Sequence, residues 1–479
     1  MSRLTILQQN DTHAHIEPHW ELRWREGQPE AWRAGGFAHI RRMADRIRDE
    51  SGGACIHVDC GDALHGTGPA QWTDGAVVVP ALNAVGVELM TPGNWEFAFG
   101  PAVLRQRARE LSFPLLASNV TRADTGQREF ADVDIREIGG SRVAFIGITS
   151  PIVGRTMPHA FGAGLRFLDA LDVLPPLIAQ VRARERPDAV ILLSHYGFAQ
   201  EVAIARRVDG LDVILGGHTH DVLADAVVVG RTIITQSGAH GSYLTRLDLK
   251  LLSGRVSDFQ HRLLPVTADA ACDVNVAAVL DESMGAHRTA VDEIVGETDV
   301  LLHRGTVLES PMDNLITSAY LETTGAEIAL SHGWRYGTPV PPGVISAGDL
   351  WQMIPTNPEL FTVRLTGSEL WRMLEQSLES TFSGDLLRQQ GGYVMRFAGM
   401  RAVVRLNNAA GTRVQRLEVG GAPIAPAREY TVVAAGAQSV KPQEGRAPVG
   451  IRAIDSLLAY LQGHRPAHTP LTNRTIVAV

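Results

Sequence analysis

Two histidines stand two residues apart at a glycine-rich turn near the middle of the chain. His218 and His220 follow Gly216 and Gly217, which end the short apolar run 213–215. Imidazole is the commonest protein ligand for zinc, manganese and iron, and two imidazoles at this spacing can point into one site. Such a pair on a loop is more often solvated or hydrogen-bonded than bound to metal, so further ligands are required from elsewhere in the chain.

Four more clusters of ligand-type residues follow apolar runs that are typical of buried strands. Asp11 and His13 come after the run 4–9 and alternate, so an extended backbone places both side chains on one face. The remaining clusters supply Asp62 after the run 54–58, Asn94 after a helix and strand expected at 77–89, and His195 after the run 190–194. Because ligands of open α/β sheets gather at the carboxyl ends of strands, we expect these side chains to converge.

Together the five clusters predict a dinuclear metal site. We expect one metal to be bound by Asp11, His13, Asp62 and His220, and the other by Asp62, Asn94, His195 and His218. Asp59 is either a helix cap or a hydrogen-bond acceptor behind the bridging ligand Asp62. Between two cations about 3.5 to 4 Å apart, a bridging water is acidified to hydroxide and can attack a tetrahedral centre.

The elements that must position these residues alternate between strand and helix. We expect helices at 36–48 and 200–208 and further buried strands at 114–120, 143–148 and 232–236. The segment 244–252 alternates apolar and polar residues like an antiparallel strand. The segment 17–33, with three tryptophans, is expected to be an irregular loop at the rim of the site.

The composition indicates a globular protein with more than one core. The chain has 479 residues, of which 45% are hydrophobic and 20% charged, and its net charge is -8. This charge excludes a broad cationic face for a nucleic acid polymer, and no apolar run of about 18 residues suggests a membrane span. Cys55, Cys60 and Cys272 match no disulfide or zinc-ribbon spacing, so we expect free buried thiols.

Three parts of the chain are predicted: a catalytic domain at 1–265, a linker helix at 266–293 and a substrate-binding α/β domain at 294–479. In the last part a turn presents Arg335, whose guanidinium can bind a phosphate or sulfonate through two hydrogen bonds. The alternative is a surface arginine beside a core tryptophan, Trp334. The first residues lead directly into a strand without an export signal, so we expect a cytoplasmic protein, or a periplasmic one if a signal was trimmed.

The five clusters resemble those of the calcineurin-like metallophosphoesterases, and the whole chain resembles the 5'-nucleotidase family. The resemblance implies a four-layer α/β/β/α sandwich that carries the metals, followed by an α/β C-terminal domain whose helix entry is similar to residues 309–319. Two positions depart from a nucleotidase, which carries Gly-Asn-His-Glu and a nearby aspartate. Here Trp95 replaces the histidine and Ala98 the aspartate, and an indole cannot donate a proton at neutral pH.

A second departure is late in the chain, where residues 434–440 replace the expected base-binding loop and leave no adenine clamp. These departures are similar to the thiosulfohydrolases of the sulfur-oxidising Sox pathway. The shared motifs are Gly-x-Trp-Glu-Phe at 93–97, Ser-Gly-x-His-Gly at 237–241, Gly-Trp-Arg-Tyr-Gly at 333–337, Gln-Gly-Gly at 390–392 followed by Arg396, and Gly-x-x-Ser-Val at 436–440. The family is normally exported, whereas this sequence shows no signal.

This resemblance implies release of sulfate from a cysteine S-thiosulfonate on the arm of a carrier protein, with manganese favoured and zinc possible. It assigns Trp95, His240 and Arg335 to catalysis and Trp334, Arg335, Tyr393 and Arg396 to substrate binding. The Trp95 indole would wall the pocket and exclude water, while His240 would either donate to substrate or orient a ligand histidine. The alternatives are a 5'-nucleotidase or broad phosphomonoesterase acting on small phosphoesters, and a non-catalytic metal-containing binding module.

Overall fold

The computed structural model describes residues 2–332, 334–436, 440, 445–472 and 474–479. The chain forms two compact units: the first comprises Met1–His19 and Arg33–His287, the second Trp20–Trp32 and Arg288–Val479. Among the described residues, no helix combines the length and apolar character needed to cross a membrane.

Strands and helices alternate over most of the first 291 residues. The strands are β1 Ser2–Gln9, β2 His19–Arg25, β3 Gln28–Ala34, β4 Cys55–Asp59, β5 Leu89–Met90, β6 Val120–Arg122, β7 Val133–Ile138, β8 Ser141–Ile148, β9 Leu165–Phe167, β10 Ala189–Ser194, β11 Val213–Leu215, β12 Val227–Val229, β13 Thr232–Thr235, β14 Tyr243–Leu251 and β15 Val256–Pro265. The α-helices are α1 Phe37–Glu50, α2 Gly68–Trp72, α3 Val79–Val85, α4 Pro101–Glu110, α5 Ala170–Arg184, α6 Phe198–Arg207, α7 Val274–Gly285 and α8 Arg288–Val291.

The first unit contains two sheets that share one core. Their strand orders are β15-β14-β1-β4-β5 and β12-β13-β11-β10-β8-β7. Ile6 of β1 packs in the same apolar cluster as Phe145 of β8 and Ile191 of β10, so the sheets are stacked face to face. On the opposite face of the second sheet, Leu174 of α5 and Ile204 of α6 are buried. With α1 in contact with β4 and packed against α3 and α7, the unit has the expected α/β/β/α layers.

Parallel pairing explains why polar turns meet at one edge. Gln9 at the end of β1 pairs with Asp59 at the end of β4, and Leu193 of β10 pairs with Leu215 of β11. Because parallel neighbours run in the same direction, the turns that follow them leave each sheet on the same side. The five ligand-bearing segments therefore emerge together at the carboxyl ends of the strands.

Two expectations about local structure were wrong. Residues 17–33 form a hairpin of β2 and β3, since apolar side chains alternate with charged ones from Trp20 to Trp24 and give the period of a strand. In place of the expected strand 114–120 the structure has isolated bridges from Leu115 to Met90 and from Leu116 to Ala131. Of the cysteines expected to be buried, Cys55 and Cys60 are buried and Cys272 is exposed.

The predicted linker segment 266–293 contains α7 and α8. The longer helix, α7, packs with α1 and α3 in the first unit and buries Val276 and Leu280. The boundaries at residues 265 and 294 stay predictions.

The second unit is built on a five-stranded sheet in the order β20-β17-β24-β19-β25 and a four-stranded sheet in the order β23-β22-β21-β26. Its strands are β16 Ile294–Thr298, β17 Ile328–Ser331, β18 Gly343–Ser346, β19 Glu359–Thr366, β20 Arg396–Ala398, β21 Met400–Val404, β22 Val414–Val419, β23 Ala422–Pro423, β24 Glu429–Ala435, β25 Ala447–Arg452 and β26 Ile476–Ala478. Its helices are α9 Pro311–Thr324, α10 Ala347–Met353, α11 Gly367–Phe382 and α12 Ala453–Gly463. Apolar clusters involve α11 on one side of the larger sheet and α9 with α12 on the other.

Candidate metal centre

Most of the expected metal ligands have an unusual backbone conformation. Left-handed φ angles occur at Asp11 (51°), His13 (46°), Asp62 (58°), His218 (73°) and His220 (57°). This conformation costs a residue other than glycine about 1–2 kcal/mol, and it concentrates at functional sites, where the surrounding structure enforces it. The shared conformation therefore marks these turns as a site that the fold holds under strain.

Close packing between turns leaves room only for glycine at two positions. A Cβ atom on Gly61 would lie 2.3 Å from the backbone nitrogen of Gly93, and one on Gly93 would lie 2.2 Å from Asp62 Oδ1. The turns after β4 and β5 are thus in direct contact, which brings Asp62 and Asn94 to the same place.

The side chains of the first expected metal converge. His220 Nε2 lies 3.3 Å from Asp11 Oδ1, and His13 Nε2 lies 3.9 Å from both Asp11 Oδ1 and Asp62 Oδ2. His13 Nε2 and His220 Nε2 are 3.1 Å apart. Two imidazole nitrogens at this distance require a proton or a cation between them, because two lone pairs repel.

The second expected set is equally compact. His195 Nε2 lies 3.1 Å from Asp62 Oδ2, and ligand atoms of Asp62, His195 and His218 all lie within 4.8 Å of one another. The side-chain oxygen of Asn94 is buried without a hydrogen-bond partner among the described residues. Asp62 Oδ2 thus faces both histidine sets, as expected of a bridging ligand.

Hydrogen bonds behind the ligands determine which atoms face the centre. His13 Nδ1 donates to the carbonyl of His65 at 3.1 Å, and His195 Nδ1 donates to the carbonyl of Cys60 at 2.6 Å. A carbonyl can only accept, so both imidazoles carry their proton on Nδ1 and can present the Nε2 lone pair to a cation.

The two aspartates are oriented in the same manner. Asp11 Oδ2 accepts from Asn10 Nδ2 and from the backbone N–H of His218, each at 2.8 Å, while its Oδ1 is buried without a hydrogen-bond partner among the described groups. Asp62 Oδ1 accepts from the Trp95 backbone N–H at 2.7 Å, which leaves Oδ2 for the centre. One oxygen of each carboxylate is therefore fixed and the other is available.

Burial and charge shift the pKa values of these groups in opposite directions. Burial lowers the pKa of His13 to about 3, against the raising effect of Asp62. Burial also acts to lower the pKa of His195, but Asp62 and Asp11 raise it to about 10. The two carboxylates thus attract positive charge strongly at this point of the interior.

These observations fit a pair of divalent cations. The donors are imidazole nitrogens, carboxylate oxygens and one amide oxygen, a set that suits manganese, zinc or iron. Asp11 Oδ1 and Asn94 Oδ1 are buried and lack a hydrogen-bond partner among the described residues. Buried polar atoms are rarely left unsatisfied, so ions are the expected partners.

Glu96 accepts hydrogen bonds from the backbone of the turns that carry Asp62 and Asn94, a role that the sequence did not predict. Its Oε2 accepts from the backbone N–H groups of Asp62 and Gly93 at 2.7 and 2.6 Å, and its Oε1 accepts from those of Ala63 and Leu64 at 2.7 and 3.0 Å. One buried carboxylate therefore satisfies four donors and joins the turn after β4 to the turn after β5.

Trp95 lies in an aromatic cluster beside Asp62. It is 5% exposed, and its ring is stacked on His65 at 4.5 Å between centroids with an interplanar angle of 6°. The Phe161 ring lies 6.3 Å away on edge. The resemblance to nucleotidases places the histidine of the His/Asp pair at this position, and here it is filled by an indole stacked on an imidazole.

His240 lies next to the first ligand set. It shares the left-handed conformation (φ 58°), donates its backbone N–H to the Asp11 carbonyl at 2.8 Å, and has its ring 6.0 Å from that of His220. The rings of His15 and His19 follow at 4.7 and 6.0 Å from His240. Both expected roles of His240, donor and orienting partner, stay predictions.

Asp59 and Glu201 are buried carboxyl groups near the ligands. Asp59 accepts from Gln9 Nε2 at 2.7 Å and from the Gly61 N–H at 2.8 Å, and burial raises its pKa to about 8. It thus acts as an acceptor behind the ligands and not as a helix cap. Glu201 of α6 is fully buried beneath Gly216, where an added Cβ would lie 2.2 Å from Glu201 Oε2.

The stability of the metal-free protein should depend on Glu201 in a defined pH range. Burial raises its pKa to about 8 from an ordinary 4.5. Between these values the unfolded chain ionises and the folded protein stays protonated, so the free energy of unfolding falls by about 1.4 kcal/mol per pH unit. We expect Glu201→Gln to lack this fall. Its free energy of unfolding should therefore exceed that of the native protein by an amount that grows from near zero at pH 4.5 to about 3–5 kcal/mol at pH 8. Denaturant unfolding of both proteins in a chelator checks this, and parallel pH curves would contradict it.

The expected substrate-binding residues lie in the second unit. The rings of Trp334 and Tyr336 are stacked with centroids 5.3 Å apart, and Arg335 lies between these residues in the sequence. The Arg396 guanidinium is 3% exposed, donates to the carbonyls of Thr306, Val307 and Val394, and lies 5.4 Å over the Tyr393 ring.

Arg396 therefore binds carbonyl groups of its own unit in this structure. The substrate roles of Trp334, Arg335, Tyr393 and Arg396 stay predictions. Gly333 and residues 437–439, which belong to two of the expected motifs, lie outside the described residues.

Comparison with known proteins gives two family matches. The calcineurin-like phosphoesterase model matches residues 4–222, and the model of the 5'-nucleotidase C-terminal domain matches residues 289–436. Protein UshA of Escherichia coli is 23% identical over 89% of this chain and 84% of its own length. The trifunctional nucleotide phosphoesterase YfkN of Bacillus subtilis is 26% identical over 87% of this chain, which spans 30% of that longer protein.

Two solved structures are similar over nearly the whole chain. The sulfate thiohydrolase SoxB of Thermus thermophilus has a TM-score of 0.92 at 27% identity, covering 99% of this chain and 96% of its own. A 5'-nucleotidase precursor from Thermus thermophilus has a TM-score of 0.86 at 25% identity, covering 100% and 99%.

Proposed function

We propose, since this chain belongs to the 5'-nucleotidase family of calcineurin-like phosphoesterases, that it is a dinuclear metallohydrolase that releases sulfate from a cysteine S-thiosulfonate on a carrier protein. The observation that carries the proposal is the Trp95 stack. The resemblance to nucleotidases places here the histidine of a His/Asp pair that stabilises the transferring phosphoryl group, and the indole stacked on His65 cannot donate a proton in its place.

The leaving group explains why such an acid can be absent. Attack by water on the terminal sulfonate sulfur forms a new S–O bond, breaks the bond from that sulfur to the neighbouring sulfane sulfur and releases sulfate. The carrier cysteine is left as a persulfide, and a proton ends on its outer sulfur. A persulfide is at least as acidic as a thiol, whose ordinary pKa near 8.5 is far below that of an alcohol, so the persulfide anion leaves without prior protonation. The similarity to the thiohydrolase structure supports the same assignment.

The chain's own residues would bind and orient the reacting groups. Two divalent cations, when bound, supply Lewis acidity and an activated water. Asp62 would face both cations through Oδ2, while the Trp95 N–H holds its Oδ1. The carbonyls of His65 and Cys60 keep His13 and His195 in the tautomer that binds metal.

A 5'-nucleotidase or broad phosphomonoesterase is the second candidate. The same ligand set would serve a phosphate ester, and the similar nucleotidase precursor structure and the nucleotide phosphoesterase relative favour it. The residues that differ are Trp95 and Ala98, so the chemistry of the leaving group separates the two candidates.

The substrate assignment can be tested with the manganese-loaded full chain. We expect sulfate release from a protein S-thiosulfonate and at least about 100-fold slower phosphate release from AMP, because Trp95 cannot supply the proton of the histidine that a nucleotidase carries at this position. Phosphate release from AMP at about 1 to 10³ per second, the ordinary range of enzyme turnover, would reject the sulfur assignment. The absence of product from both substrates with metal bound would favour a binding module. Asp62→Asn serves as the control for contaminating activity.

A further inference from the structure

Gln236 is a fully buried amide behind the turn 216–221, which carries the two histidines of the His-x-His pair. Its Nε2 donates to the Gly217 carbonyl at 2.7 Å. Its Oε1 accepts from Thr219 Oγ1 at 3.0 Å and from the Asp221 N–H at 2.6 Å. The three hydrogen bonds thus fall before, between and after the two histidines.

This turn has a conformation that requires external support. His218 and His220 both have left-handed backbones, with φ angles of 73° and 57°. Such residues persist only where neighbouring groups hold them, and the Gln236 amide is hydrogen-bonded to the residues on either side of each. Without this amide the turn would populate other conformations, in which the two imidazoles no longer converge.

Both expected cations depend on this single turn. His220 belongs with Asp11 in one ligand set, and His218 belongs with Asp62 and His195 in the other. The His218 backbone N–H also donates to Asp11 Oδ2 at 2.8 Å, which joins the turn to the first set. A change in the conformation of the turn therefore alters both metal sites together.

We propose that Gln236 is a positioning residue that orders the turn 216–221 before either cation binds. The inference rests on the dinuclear centre proposed above. If the turn is ordered in only a fraction of the molecules, the apparent dissociation constant of the first cation equals its intrinsic value divided by that fraction. The second cation meets a turn that is already ordered, so its affinity is nearly unchanged. Loss of the Gln236 amide should therefore make metal binding positively cooperative.

The test is a calorimetric titration of the metal-free full chain with Mn²⁺, comparing native protein with Gln236→Met. Methionine has a similar length and forms none of the three hydrogen bonds. We expect the first dissociation constant to rise about 10- to 100-fold, the range seen when groups behind metal ligands are removed, and the second to change less than about 3-fold. The electron paramagnetic resonance spectrum of half-loaded Gln236→Met should then show coupled manganese pairs with few isolated ions.

Matched variants separate this role from a general loss of stability. Thr219→Val removes the hydroxyl that donates to Gln236, and also an acceptor for the Phe198 N–H, so it should give a smaller shift of the same kind. Thr219→Ser keeps the hydroxyl and should bind Mn²⁺ as the native protein does. Asn119 is another fully buried amide with three hydrogen bonds, to Thr149 and Leu168. Asn119→Leu should lower the melting temperature without changing Mn²⁺ binding.

Native-like, non-cooperative Mn²⁺ binding by Gln236→Met would overturn the inference, and so would equal and independent weakening of both sites. If Gln236→Met does not fold, a difference between Thr219→Val and Thr219→Ser supports the inference and identical binding by the two overturns it. If the native protein binds no Mn²⁺, the proposed centre itself fails, and the inference fails with it.

Discussion

Asp62→Asn should lower turnover by about 10³-fold or more, equivalent to about 4 kcal/mol of lost barrier reduction. The Trp95 N–H fixes Oδ1 of this residue as an acceptor, so the amide nitrogen of asparagine would occupy the position of Oδ2. An NH₂ group there would direct its hydrogens at His195 Nε2 and at the two cations, and the amide nitrogen cannot coordinate either cation. Turnover of the preferred substrate and metal content per chain are the measurements, and we expect the bound metal to fall from two ions to one or none.

Asp59→Asn is the matched control for this loss. Asp59 lies three residues earlier and is equally buried, and burial raises its pKa to about 8, so it is already neutral at pH 7. An amide in its place keeps the charge unchanged and should retain most of the activity. Full turnover by Asp62→Asn with two bound ions would disprove the bridging role of Asp62.

Glu96→Gln should destabilise the first unit by about 2–4 kcal/mol and weaken Mn²⁺ binding at the same time. Each Glu96 oxygen accepts from two backbone N–H groups, and an amide NH₂ in place of either oxygen would face two donors. Buried donors without an acceptor cost about 1–3 kcal/mol each, and the freed N–H groups belong to the turns that carry Asp62 and Asn94. Thermal unfolding and Mn²⁺ titration of the variant give the two measurements.

Glu375→Gln provides the comparison in the second unit. Glu375 is 6% exposed and accepts from the backbone N–H groups of Arg413 and Val414. Its replacement should also lower stability but should leave Mn²⁺ affinity unchanged, because neither N–H belongs to a ligand turn. Unchanged stability and unchanged affinity in Glu96→Gln would show that the four hydrogen bonds do not support the site.

The ligand turns could be predicted because each is a local pattern. An apolar run followed by Asp11 or His195 specifies both the strand and the polar group at its end, and parallel pairing brings the ends together. The groups behind the ligands carry no such pattern. Gln236 and Glu96 act through hydrogen bonds to turns distant in sequence, and an isolated glutamine or glutamate at a strand end does not show which backbone groups it will meet.

The hairpin of β2 and β3 was missed for a different reason. Tryptophan and leucine alternate with glutamate and arginine only from residue 20 to residue 24, so the strand period is present but short, and the expectation of a loop did not take it into account. Its assignment to the second unit depends on contacts distant in sequence, such as the Trp24 ring 6.1 Å from His303. Contacts across such a sequence separation cannot be read from the residues alone.

The contacts of this hairpin can form only late in the synthesis of the chain. Trp24 leaves the ribosome about 280 residues before His303, a delay of roughly 15 to 60 seconds at ordinary translation rates. During that time the nascent first unit carries a tryptophan-rich segment whose final neighbours do not yet exist. In a protein truncated at residue 287, residues 20–32 would permanently lack their neighbours in the second unit. To produce the two units separately, residues 20–32 must therefore be removed from the first unit and supplied with the second.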